Sequence, residues 1–141
     1  MRRWLEGMQP WGAFLLRLVL GFAMAWHGWG KVVPHGGFHG GNTFSAIDHW
    51  SHTVAAMGLP YWLGYVSALT EFVGGFLLML GLLTRFVAFL VACDMLVALW
   101  KVHVGHGYAA SEYSLALLVI ALMLLFYGSG ALSMDRRIGF A

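Results

Sequence analysis

Four runs of this sequence are apolar for long enough to cross a lipid bilayer, and that constrains the fold more than any other feature. A span needs about 20 mostly apolar residues. The runs are about Trp11–Gly30, Tyr61–Leu83, Arg85–Lys101 and Glu112–Gly128. In lipid every backbone amide must be bonded within the protein, so runs of this kind become helices. Composition agrees: of 141 residues, 60% are hydrophobic and 10% charged, whereas soluble domains carry roughly 45–50% and about 25%. The expected fold is an all-α membrane protein, a four-helix transmembrane bundle forming a single domain over residues 1–141. Arg2 and Arg3 precede the first run as they would in a signal peptide. Its length, and the lack of a small-x-small cleavage pattern after it, favour a retained span. A net charge of +2 with no basic tract offers nothing to hold nucleic acid. The single cysteine, Cys93, cannot form an internal disulfide, a CxxC pair or a thiolate cluster.

Basic residues flanking the spans set the expected orientation. Arg2, Arg3, Arg85, Arg136 and Arg137 fall on one side, Lys31 and Lys101 on the other. Both termini are then cytoplasmic, in a multi-pass membrane protein. The first and third loops face outward, which places all seven histidines on or near the outer face. A very short turn at Thr84–Arg85 joins the middle spans. Trp26, Trp29, Trp50, Tyr61, Trp62, Tyr65, Trp100 and Tyr108 gather at the same outer level, as an interfacial aromatic belt does. Within the first loop, "NTFSAIDHWSHTVAAMG" opens on a helix-capping Asn42 or Thr43. Phe44, Ile47, Trp50 and Val54 recur every three or four residues, the spacing of a short amphipathic helix lying on the membrane surface.

Charges inside the apolar runs are few and costly, roughly 2.5–3.5 kcal/mol each at mid-bilayer on insertion scales, so they face protein and find partners. Arg17 shares a helical face with Gly21, Ala25 and Gly28, a small-residue stripe suited to close helix contact. Glu71 lies ten residues into the second run, ~15 Å deep. Ser67, Gly74, Gly75 and Leu78 share its face. Asp94 lies seven residues before Lys101, Glu112 opens the fourth run, and His27 ends the first with Lys31 one turn later. An Arg17–Glu71 ion pair holding two helices together is one expectation. A functional line of charge running to mid-membrane is the other.

The first arginine-bearing run, "HGWGK" after it, "LTEFVGGFLLMLGLLTR" from Leu69 to Arg85 and a closing "GSGALSMD" resemble the DoxX family of small four-helix bacterial membrane proteins. The resemblance covers about Phe14 to Asp135. The matched positions are Arg17, His27, Lys31, Glu71, Gly74, Gly75, Arg85, Glu112 and Asp135. It implies a membrane subunit related to one in thiosulfate:quinone oxidoreductase, which feeds electrons into the quinone pool. The histidine-rich insert from His35 to His52 departs from the family pattern.

Reducing a quinone takes two electrons, two protons and an apolar slot. Glu71, His27, Lys31, Asp94 and Glu112 are the candidate proton-handling residues, and Trp26, Trp29, Met24 and Trp100 the candidate slot. No CxxCH haem attachment, cysteine set or dinucleotide fingerprint is present, so electrons come from a partner membrane or periplasmic subunit, from substrate, or through a bis-histidine haem. His49 with His52 and His103 with His106 present imidazoles three residues apart, a pattern that could hold Zn²⁺ or Cu²⁺. Two readings therefore stand side by side. One is a quinone-linked redox subunit. The other is a non-catalytic accessory, scaffold or lipid-binding subunit of a larger membrane complex.

Overall fold

A computed structural model describes residues 2–34, 37, 42–103 and 107–139. These residues form six helices and no strand: α1 Arg2–Val32, α2 Thr43–Ala56, α3 Trp62–Leu80, α4 Thr84–Ala98, α5 Tyr108–Tyr127 and α6 Met134–Ile138. A π-helical turn, Leu99–His103, prolongs α4. Segments Gly7–Val32 and Trp62–Leu80 are long and apolar enough to cross a membrane, and Ser111–Tyr127 is apolar but shorter. The first helix begins well before the expected Trp11 and carries Pro10 inside it.

Large apolar side chains point outward as well as into the core. Leu15, Val19, Phe22 and Trp26, each more than half exposed, form one outward stripe along α1. Phe76, Phe89, Val119 and Phe126 also point away from the protein interior on the other long helices. An apolar surface this continuous is what lipid, a partner or both would cover.

The four long helices pack α1 on α3, α3 on α4, α4 on α5 and α5 on α1, around Leu20, Met24, Leu78, Val91 and Leu124. The α1–α3 contact is the tightest, and the small-residue stripe explains it. A Cβ added to Gly28 would stand 2.3 Å from the Phe72 nitrogen, and one added to Gly75 would stand 2.5 Å from that of Ala25. Backbone therefore meets backbone, as a small-xxx-small face allows.

Chain reversal after α3 falls earlier than the expected Thr84–Arg85 turn. Gly81 takes φ +68°, its N–H bonds to the Leu78 carbonyl, and the Leu82 N–H returns to Leu77 at 2.9 Å. This pair of bonds is a Schellman ending, which needs a left-handed residue. Thr84 is already the first residue of α4. Its N–H and that of Leu83 donate to the two Asp135 carboxylate oxygens at 2.8 and 2.7 Å. A carboxylate there satisfies two orphan amides at the positive end of the helix.

Arg17 completes this junction. Its guanidinium donates to the carbonyls of Ser129 at 2.5 Å and Leu132 at 3.1 Å, while the Ala131 N–H bonds to Pro10 at 2.8 Å. The segment after α5 is thus folded back under α1 and the α3–α4 turn. The expected Arg17–Glu71 clamp does not form, because Arg17 is spent on this segment and Glu71 on another cation.

Asn42 caps α2, accepting from the Phe44 N–H at 3.0 Å. The apolar face of α2 is used on protein: Ile47 and Val54 are buried, and Ser51 sits so close to Gly64 of α3 that no side chain fits there. Phe44, expected on that face, is 72% exposed. Asp48 fixes the helix in place, accepting from the Tyr61 hydroxyl and from that of Tyr65 at 3.3 Å.

Candidate functional site

The final turn of α1 carries Lys31, whose positive charge suits the negative end of a helix. From there it reaches across to α3. Its Nζ lies 2.6 Å from both carboxylate oxygens of Glu71, in a pair with side-chain exposures of 16% and 5%. The α1–α3 contact at Gly28 brings the two helices near enough for this bridge. Trp50 of α2 covers the ammonium, 3.9 Å from ring centroid to Nζ, a cation–π contact strengthened by desolvation.

Asp94 of α4 lines one cavity with Glu71 and interacts electrostatically with its carboxyl, and Tyr113 of α5 feels the Glu71 charge. The His27 ring lies 5.5 Å from that of Tyr113. Its Nδ1 donates to the Ala23 carbonyl at 2.8 Å, which leaves Nε2 of the neutral ring as an acceptor. Lys31 of α1 and Asp94 of α4 thus flank the buried Glu71 carboxyl.

A cavity of about 170 Å³ opens beside this cluster between α2, α3 and α4. Lys31, Glu71, Asp94 and Lys101 supply its charges; Trp50, Val54, Met57 and Leu63 are part of its apolar wall, with Leu90 and Val97 of α4 opposite. A mostly apolar hollow with a few convergent polar groups is the usual form of a small-molecule site. A second, shallower groove of about 510 Å³ runs between α1 and α5, with Trp26, His27 and Tyr113 at one end.

The site residues expected from sequence divide three ways. Lys31, Glu71 and Asp94 are brought together, with His27 at one remove through Tyr113. Glu112 is exposed at the start of α5 and does not join them. The four residues expected to wall one slot are dispersed. Met24 is buried in the core at 1% exposure, whereas Trp26, Trp29 and Trp100 point outward on different sides at 72%, 49% and 65%. Trp26 stacks on Phe22 and Trp29 lies against Phe72. Helical rotation separates residues that adjacency in sequence seemed to group.

Trp50 and Tyr113 were not anticipated at this site. Trp50 was legible as part of an amphipathic stripe and of the aromatic belt, and Tyr113 only as the neighbour of Glu112. Among the described residues, no three His, Cys, Asp or Glu side chains gather as metal ligands. His49 is exposed, and His52 lies 3.5 Å from Asp48 on the same helix. His106 and the side chain of His103 lie outside the described residues.

Comparison with known proteins bears on this geometry. Residues 12–104 match the family model described as DoxX. A Bacillus subtilis protein named "Putative oxidoreductase CatD" is 29% identical over 88% of this chain and 84% of its own length. An uncharacterised Haemophilus influenzae protein is 33% identical over 94% of this chain and 95% of its own. No solved structure matches.

Proposed function

The chain belongs to the DoxX family, and on that footing we propose that it is a quinone-binding membrane subunit of a redox complex. Its four long helices stand as a transmembrane bundle in the bacterial inner membrane, with both termini cytoplasmic and the Lys31 end facing outward. The outward apolar stripes on α1, α3, α4 and α5 support insertion, since lipid covers them without cost. The oxidoreductase name of the Bacillus subtilis relative supports a redox role.

One observation carries the proposal: the Lys31–Glu71–Asp94 cluster opens on a largely apolar cavity instead of being sealed in the core. A structural ion pair needs no cavity. A quinone ring needs apolar walls together with donors at its carbonyl oxygens. The Lys31 ammonium and a protonated Glu71 or Asp94 carboxyl would supply such donors and the protons that accompany two electrons. Trp50 offers a flat face for the ring. Electrons enter from a partner subunit, from substrate or through a bis-histidine haem, since the sequence carries one cysteine and no haem-attachment motif.

Organic extraction of the purified protein, followed by quinone assay, tests the reading directly. We expect quinone to co-purify with the unmutated protein. We also expect Glu71→Gln to lower quinone-coupled electron transfer in membranes by about 10²–10⁴-fold, the scale of a lost acid–base group. If the purified protein retains no quinone and takes none up on titration, the cavity has another use. The family position would then favour the accessory-subunit alternative.

A further inference from the structure

The charged cavity does not end at Glu71. Where its lining passes Val66 and Thr70 on α3 and Leu90 on α4, the same three residues begin a second hollow of about 370 Å³ between these helices. This groove runs away from the cluster toward the α3–α4 turn. Val73, Leu77 and Phe86 wall it, and Gly74, with Val87 pressed against it, makes its floor. From Val66 to Leu77 is eleven residues of helix, ~16 Å. Among the described residues that line it, Thr70 alone has a side chain able to form hydrogen bonds, and it stands at the junction with the cavity.

We propose that this α3–α4 groove takes the hydrocarbon tail of a single-tailed amphiphile whose neutral ring enters the charged cavity. The assignment rests on the quinone reading above and deepens it, because it makes the tail a recognised part of the ligand. Size supports it. The cavity, at about 170 Å³, holds a ring and little more, whereas sites for whole ligands run to roughly 300–1,000 Å³. Cavity and groove together reach that range. Charge decides the kind of head group. Lys31 and Lys101 are matched one for one by the carboxyls of Glu71 and Asp94 along the lining, so even with one carboxyl protonated the site offers a phosphate a single unmatched cation and still sets a carboxylate against it. A neutral head that exchanges hydrogen bonds fits better than a phospholipid head, and one groove serves one tail.

The test uses the full chain in phosphatidylcholine nanodiscs, with binding followed by quenching of tryptophan fluorescence. Two probes are compared: the bare ring, 2,3-dimethoxy-5-methylbenzoquinone, and the same ring with a decyl tail. Val73→Phe and Leu69→Phe narrow the groove from positions 45% and 48% exposed, so the fold should tolerate them, which an unchanged melting temperature checks. Val119→Phe, on the outward face of α5, controls for partition of the tailed probe into lipid. Each groove variant should weaken the decyl probe about ten-fold, the worth of one or two displaced methylenes, and leave the bare ring unchanged. If the groove variants bind the decyl probe as the Val119→Phe control does, the tail assignment is wrong and the ring site stands. If neither probe quenches the unmutated protein, the quinone reading falls and the tail assignment falls with it. A phospholipid that co-purifies with the unmutated chain and is lost from Val73→Phe, with decyl binding unchanged, would give the groove to an acyl chain and overturn the proposal.

Discussion

The Lys31–Glu71 pair is where charge, burial and packing meet most closely. Both groups stand out in the sequence because charge inside apolar runs is expensive. Their pairing was not legible there, since it depends on how α1 and α3 are rotated about their axes. Arg17 lies nearer Glu71 in the expected depth but binds carbonyls of the segment after α5 instead. Removing one partner of a buried pair leaves the other uncompensated, typically at a cost of about 3–5 kcal/mol. Glu71→Gln should therefore lower the detergent melting temperature, and adding Lys31→Met should restore most of it. Adding Arg17→Met should restore none, and a rescue by Arg17→Met would mean that Arg17 and Glu71 pair after all. Asp135 acts at the same scale with a different physics. Replacing its carboxylate with Ala strips two amides of their acceptor and should cost about 0.5–2 kcal/mol, the range of a lost helix cap. Thermal denaturation of Asp135→Ala beside Ser129→Ala would separate the cap from general damage to the segment.

Among the elements, the α1–α3 pair sets the distance that lets Lys31 reach Glu71, and glycine sets that distance. Gly28 and Gly30 lie two residues apart on α1 but have opposite surroundings: the first presses on the Phe72 backbone, and the second has nothing within 4 Å of an added Cβ. Gly28→Ala should force the helices apart and cost about 1–3 kcal/mol, the range for overpacking. Gly30→Ala should be neutral or gain up to about 1 kcal/mol from helix propensity. Comparing the two melting temperatures reads contact against propensity on one helix. The small-residue stripe was visible in the sequence as spacing, and its partner was not. The same holds for α2. Its cap and its Ile47 and Val54 face were legible, but its docking on α3 through Ser51 and Asp48 depends on Gly64, Tyr61 and Tyr65, which lie in the next run.

At the scale of the whole molecule, orientation is the open consequence of the arginine distribution. With Cys93→Ser as background, Asn42→Cys and Arg137→Cys place single thiols at opposite ends of the protein on exposed residues. A membrane-impermeant maleimide applied to intact cells should label only the first. Labelling of Arg137→Cys alone would invert the protein and turn the Lys31–Glu71–Asp94 cavity toward the cytoplasm. Sequence by itself determined the helical class and the apolar runs, and it marked the few charges inside them. Each follows from transfer free energy and period, which are local properties of the chain. Only the tertiary structure decided which cation meets Glu71, that Asp94 and Trp50 line a cavity with it, and that the tryptophans disperse. These depend on helix rotation and on where backbones can touch. That is set by the few glycines where two distant segments come into contact, and no local pattern records both sides of such a contact.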